Sequence, residues 1–307
     1  MKTKPKIHLL VDSINYIENE PYQHQLNKVL NQNYECIYHE IGDLTKQINK
    51  NEIILSLLKI RSTKKHIDWI VSLVGDTHII VNDYDPWVSF EDGSIHKGTY
   101  EFISSKLNAT FFVPSIEWTK IIKSKGLRCV SSKIGMLSDY CDTTPWEKRI
   151  NQVEFRGAHY SCRDIAMKKL FDTGFPMCWK AGKIAPYHFF LERLSTIQVW
   201  AQSETEPIFV DGNPICRNWL WPKAIEVLSR GCFLIRDKQP EAENYVKNMP
   251  TVFLFEKETE ALDLLNKINS LSNKEKNERI KETINYIQNE LYYQVICDNL
   301  TFWWNKL

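Results

Sequence analysis

The chain has 307 residues, 43% of them apolar and 25% charged, the composition of a globular protein long enough for two domains of ordinary size. Its formal net charge is +1, so bulk electrostatics argues against general binding to nucleic acid or to an anionic membrane. No stretch nears the ~18 apolar residues of a spanning helix, and MKTKPKIHLLVDS reaches Asp12 too soon to have the form of a signal peptide.

Ile7–Val11 (IHLLV) predicts a buried strand ended by Asp12-Ser13, and Tyr22–Leu30 the helix that follows it in a doubly wound opening. Tyr34–Ile41 alternates and predicts a second strand. Asn51–Leu58 is expected to be helical, and Ile67–Leu73 (IDWIVSL) and Thr77–Val81 (THIIV) to be strands. NDYDPW (82–87) then sets two aspartates, Asp83 and Asp85, after a strand and before a Pro-Trp turn. At the carboxyl end of a parallel strand, such a loop is where open α/β sheets place ligands. The alternative is a turn in which both carboxylates cap local N–H groups. Glu101–Lys106 predicts a helix and Thr110–Val113 a strand. A helix follows in PSIEWTKIIKSKG (114–126), with Ser115 as N-cap and Gly126 as stop. Its Ile116, Ile121 and Ile122 are expected to pack, and Glu117, Thr119 and Lys120 to face solvent.

Ser138–Trp146 (SDYCDTTPW) has no periodicity and reads as a linker between two domains. Gln152–Arg156 (QVEFR) predicts the first strand of the second domain, and GAHYSCRD (157–164) leads into a helix over Ile165–Phe171. Gly157 lets backbone approach a ligand closely. Arg163 opens that helix, where a guanidinium either pairs with phosphate oxygens or serves structure alone. Strand, helix and strand follow at Pro176–Trp179, Tyr187–Leu194 and Thr196–Trp200. Ala201–Cys216 is read as a long functional loop that would cover a bound sugar.

In RNWLWPKAIEVLSRGCFLIRD (217–237), Pro222 suits a first helical turn, Ala224, Val227 and Leu228 keep a helical period, and Gly231 suits the position past the helix end. Cys232–Ile235 is then a short buried strand. Lys223 and Glu226 stand one turn apart at the mouth of this helix, where backbone N–H groups also point outward. A cation there can reach a diphosphate, and a carboxylate there can accept hydrogen bonds from ribose hydroxyls. Helix Ala242–Lys247, strand Val252–Phe255 and helix Glu258–Ser270 come next. Beyond Ser272, Ile280, Ile284, Ile287 and Leu291 share one helical face, and Phe302, Trp303 and Trp304 form an aromatic tail that is either buried or in contact with a membrane. The eight cysteines (36, 129, 141, 162, 178, 216, 232, 297) include no C-x-x-C pair and no zinc-spaced histidines, so reduced thiols are expected.

KAIEVLSRGCFLIRD (223–237) resembles the donor-site block of GT-B glycosyltransferases, in the "glycosyl transferase group 1" and spore-maturation-protein-like group. The resemblance implies an α/β chain of two Rossmann-like, doubly wound domains facing a cleft. Residues 1–140 would be the acceptor-side domain, 141–288 the nucleotide-sugar-binding domain, and 289–307 a helix crossing back onto the first. It implies a cytoplasmic hexosyltransferase-like enzyme that moves a sugar from a nucleotide-diphosphate sugar to a glycan, a lipid-linked precursor or another acceptor, with no metal and no cofactor. Donor-binding positions would be Gly157, Arg163, Arg217, Asn218, Lys223 and Glu226. Asp83 and Asp85 would be the catalytic groups on the acceptor side, one a general base if the reaction inverts. The sequence departs from the pattern at one place. Many retaining members carry a second glutamate eight positions before the one aligned with Glu226, and here that position is Asn218.

Two other readings stay open. One is a phage-type glycosyltransferase of DNA bases, which the near-neutral charge disfavours. The other is a nucleotide-sugar-binding relative that has lost transfer, which Asn218 favours. Peripheral contact with the inner face of a membrane is the alternative to a buried tail.

Overall fold

A computed structural model describes every residue except 1–3, 16–20, 47, 50–51, 133, 158, 160, 181–186, 216, 218–221, 240, 244–246, 292–299 and 301–307. The chain divides into two compact units, built mainly of Met1–Ile134 and of Gly135–Phe209 with Asn213–Tyr292, each around one parallel sheet.

The first sheet has the order β2-β1-β3-β4-β5-β6. Its strands are β1 (Lys6–Val11), β2 (Glu35–Glu40), β3 (Ile53–Ser56), β4 (Ile79–Asn82), β5 (Ala109–Val113) and β6 (Cys129–Ser131). Every neighbouring pair is parallel. β3 and β5 are buried along their whole length, as strands covered on both faces must be. The helices are α1 (Pro21–Asn33), α2 (Ile60–Lys65), α3 (Ile67–Val74), α4 (Thr99–Lys106) and α5 (Ile116–Ser124).

Two expected elements exchange type. The segment expected to be helical, Asn51–Leu58, holds β3, and the one expected to be a strand, Ile67–Leu73, is α3. A short apolar run on a central strand has no alternation to show, so its period is silent. In α3 the buried residues are Ile67, Ile70 and Val74, the three- and four-residue steps of a helix. In α5, Ser115 Oγ caps the helix by accepting the Trp118 N–H at 3.0 Å, as expected. The packed face is rotated from the expected one. Trp118, Thr119 and Ile122 are buried while Ile116 is 43% exposed. Thr119 is accommodated because its hydroxyl donates to the Ser115 carbonyl at 2.7 Å.

The second sheet has the order β13-β12-β9-β7-β8. Its strands are β7 (Ile150–Arg156), β8 (Met177–Lys180), β9 (Ile197–Gln202), β12 (Phe233–Asp237) and β13 (Val252–Phe255). All are parallel, with a register shift in the β7–β9 pair between Ile150 and Val153. The helices are α6 (Ser161–Asp172), α7 (Tyr187–Thr196), α8 (Pro222–Ser229), α9 (Ala261–Ser270) and α10 (Asn273–Glu290). Gly231, past the end of α8, has φ +76°, the left-handed conformation its position requires. α10 opens with a capping box between Ser272 and Glu275 and buries Ile280, Ile284 and Ile287.

The stretch read as one long loop, Ala201–Cys216, holds a hairpin instead. β10 (Ile208–Val210) pairs with β11 (Asn213–Ile215). Asp211 and Gly212 between them have φ +49° and +78°, the turn that an Asp-Gly pair makes most readily. The expected C-terminal crossing helix and the tail Phe302, Trp303 and Trp304 lie outside the described residues. No described helix is long and apolar enough to cross a membrane.

Candidate functional site

In each sheet the second strand of the unit lies on one side of the first strand and the third lies on the other. Open α/β sheets bind ligands outside the carboxyl ends of the strands at that reversal. In the second unit it falls between β7 and β9.

β7 ends at Arg156 and Gly157 follows. A Cβ at Gly157 would lie 2.8 Å from the Phe155 ring and 3.1 Å from Arg163 Nη1, so a side chain there would force that ring and the guanidinium to shift. Glu204 stands two residues past the end of β9. Its Oε1 accepts from Arg163 Nε at 3.1 Å and Nη2 at 2.7 Å, and from Gln202 Nε2 at 2.7 Å. Its Oε2 lies 3.0 Å from Arg217 Nη1. All three charged side chains are buried. Burial pushes the Glu204 carboxyl up, but the Arg217 and Arg163 guanidiniums outweigh it and hold the group below its ordinary range.

Arg236, near the end of β12, adds a third buried guanidinium to the field on Glu204 and Asp237. Among the described residues, its Nε and Nη1 have no hydrogen-bond partner. Asp237 accepts from the Glu204 N–H at 2.9 Å and from Gln239 Nε2 at 2.6 Å, and burial raises its carboxyl above the usual range. Among the described residues, three buried guanidiniums and two buried carboxylates thus gather at the end of the sheet.

Lys223, in the first turn of α8, donates to the Arg156 carbonyl at 3.1 Å and lies 5.4 Å over the Phe190 ring. Glu226, one turn on, is buried, and its Oε1 accepts from the Tyr187 hydroxyl of α7 at 2.8 Å. Gly157, Arg163 and Arg217 thus come together at the ends of β7 and β9, with Lys223 at the same end of β7. Asn218 lies outside the described residues.

The two aspartates of the first unit occupy different environments. Asp83, just past β4, is buried; its Oδ1 accepts the Asp85 N–H at 3.0 Å and its Oδ2 the Tyr100 hydroxyl at 2.8 Å. Burial, then the neighbouring Asp85 charge, push the Asp83 carboxyl up to about 7, against the pull of its hydrogen bonds. Asp85 is exposed. Asp83 thus caps the turn, as the turn reading expects of it, and Asp85 is exposed there.

This predicts a pH signature. The folded carboxyl near 7 lies above the ordinary value of 3.8, so the native state holds its proton more tightly than the unfolded chain does. Asp83 therefore lowers stability progressively as pH rises from about 4 through 7, by up to about 4 kcal/mol, and adds no further slope above. In Asp83→Asn, urea titrations across this range should lack that decline. A parallel decline in both proteins would contradict the assignment.

Whole-chain comparison places these features among known folds. No family model matches the chain, and no curated protein matches it in sequence. Solved structures do match. HepE of Anabaena, solved with UDP and glucose, superposes with a TM-score of 0.62 at 9% identity, covering 99% of this chain and 100% of that one. Sucrose-phosphate synthase of Thermosynechococcus elongatus gives 0.63 at 10% identity, covering 99% of each chain. The trehalose-6-phosphate synthase of Burkholderia multivorans gives 0.58 at 10% identity, over 99% of this chain and 97% of that one. The chain has the GT-B fold.

Within this GT-B chain, two groups at the second sheet were not singled out in the sequence. Glu204 is 41 residues from Arg163, and no spacing links them. What could have pointed to it is its place directly after β9. His159 sits inside the quoted GAHYSCRD stretch, and its ring nitrogen Nδ1 lies 3.0 Å from Asp164 Oδ1. Among the described residues, no group of three or more His, Cys, Asp or Glu could hold a metal ion.

Proposed function

We propose that this protein is a glycosyltransferase that binds the diphosphate of a nucleotide sugar at the carboxyl ends of β7 and β9. The observation that carries the reading is the cluster of three buried guanidiniums there, Arg163, Arg217 and Arg236, with Lys223 at the same strand end. In transfer, the bond between the anomeric carbon and the diphosphate oxygen breaks, and the electron pair leaves with the nucleoside diphosphate. Fixed cations stabilise that developing charge, at little reorganisation cost because they are already in place. Arg163, Arg217 and Lys223 are the groups for this role, with Gly157 allowing close approach. Glu226, steadied by the Tyr187 hydroxyl, and Asn218 would serve the ribose and sugar.

Asp85 would accept the proton of the incoming hydroxyl, and Asp83 would hold the turn that presents it. The acceptor would be a glycan, a lipid-linked precursor or another hydroxyl compound. HepE, solved with UDP-glucose, makes a uridine donor the first to try. The test is a panel of UDP-, GDP- and ADP-sugars, with released nucleoside diphosphate as readout. One donor should turn over, and Asp85→Asn should slow it about 100-fold or more while leaving nucleotide binding intact. Binding without turnover of any donor would favour the reading as a binding protein that has lost transfer.

A further inference from the structure

The donor reading uses only the backbone carbonyl of Arg156, the last residue of β7. Side chains alternate along a strand. Phe155 lies under the Arg163 guanidinium, 5.4 Å from it, so Glu154 and Arg156 face the other way. That side is covered by α7. The buried Glu154 carboxylate accepts from Arg193 of α7 through Nε at 3.1 Å and through Nη2. Gln152 Oε1 accepts from the same Nη2 at 2.9 Å and holds Arg193 in place. Burial pushes the Glu154 carboxyl up, but the hydrogen bonds from Arg193 and Arg156 outweigh it and hold the group below its ordinary range.

Arg156 reaches this carboxylate through Nε alone. Among the described residues its guanidinium makes no other hydrogen bond. Neither terminal nitrogen is a buried orphan, and the side chain is 16% exposed, so Nη1 and Nη2 meet solvent. The stem and Nε are fixed while the fork stays open. Lys223 stands on the same side of the strand. Its ammonium lies over the Phe190 ring of α7, three residues before Arg193 and so on the same face of that helix. The same ammonium is 3.1 Å from the Arg156 carbonyl. Strand and helix thus each place Arg156 and Lys223 together, at the end of β7 and on the side of α7.

We infer that Arg156 is a donor-binding residue whose terminal guanidinium nitrogens hydrogen-bond phosphoryl oxygens of the nucleotide sugar, beside Lys223. The proposal rests on the donor reading and extends it. The Glu154 contact fixes Nε and with it the plane of the guanidinium. A planar fork matches two oxygens of one phosphate at once, which a point charge such as the Lys223 ammonium does not. Arg156 therefore sets the orientation of the diphosphate, and Lys223 adds attraction.

The test is calorimetric binding of UDP-glucose, GDP-mannose and ADP-glucose to the wild-type protein, Arg156→Gln, Arg156→Lys and Lys223→Ala. For whichever donor binds, Arg156→Gln should weaken binding about tenfold or more, the effect of losing a charge-assisted hydrogen bond. Arg156→Lys keeps the charge and loses the fork, and should bind about threefold or more weaker than the wild type. Glu154 keeps its contacts to Arg193 in both, so their melting temperatures should lie close to the parent's. Should Arg156→Gln not fold, Arg156→Lys decides by the same comparison. Wild-type affinity in the folded Arg156 variants, with binding lost in Lys223→Ala, overturns this proposal and leaves the donor reading standing. No binding of any donor, or full binding in all three variants, overturns both.

Discussion

Replacing Glu204 with alanine should destabilise the second unit by about 3–5 kcal/mol, a large part of the stability of an ordinary domain. One carboxylate takes two guanidiniums, Arg163 and Arg217. Removing it takes the shared carboxylate away from two buried cations beside Arg236, and that loss of opposing charge, rather than of packing, sets the size of the effect. The Glu204 backbone also donates to Asp237, so collapse around the gap would strain the end of β12 as well. Glu204→Gln keeps the shape and some hydrogen bonding but not the charge, and should fall between. Urea denaturation of the three proteins measures this. A loss below about 1 kcal/mol for the alanine variant would mean that water already screens the guanidiniums.

The second large effect concerns binding. Lys223→Ala should weaken nucleotide binding by about 10- to 100-fold, the usual cost of a lost charge-assisted hydrogen bond to an anion. The side chain spans from the first turn of α8 to the end of β7, with its ammonium 3.1 Å from the Arg156 carbonyl. Its removal takes away an exchangeable hydrogen bond to a backbone carbonyl, and the Phe190 ring lies 5.4 Å from the ammonium. The variant should therefore fold like the parent while losing ligand. This contrasts with Glu204→Ala, where the fold itself should suffer, and the two variants together separate binding from architecture.

How much of this was legible beforehand follows from what a linear pattern can carry. Gly231, Pro222 and the short run after them act through their immediate neighbours, so α8 and β12 could be read directly. Ser115 and Gly126 bounded α5 for the same reason, yet its packed face was misjudged, because a threonine that bonds its own backbone buries as readily as an isoleucine. β3 and α3 were exchanged because both are short and apolar, and only their neighbours in the sheet decide which is which. The Asp211-Gly212 turn was visible in the letters, but the stretch around it was weighed for length rather than for the backbone conformation those two residues favour. Arg163, Arg217 and Lys223 stand out in the sequence as cations before or within helix starts, and the structure brings the two arginines onto one carboxylate, with Lys223 at the end of β7. The carboxylate that joins the two arginines does not stand out, since an ion triad formed from α6, the end of β9 and the segment before α8 has no period and no fixed spacing. The split between Asp83 and Asp85 was equally hidden: two like residues, two positions apart, differ because Tyr100 and burial claim the first.

The most direct measurement is thermal denaturation with UDP, GDP and ADP added in turn, for the wild-type chain and for Lys223→Ala. A ligand that binds only the native state at 100 times its Kd adds about 2.7 kcal/mol to stability. The account predicts that one of the three raises the wild-type Tm by several degrees and that Lys223→Ala, with an unchanged Tm of its own, fails to respond. A wild-type chain indifferent to all three at millimolar concentration, or a Lys223→Ala variant that keeps the full shift, would contradict it.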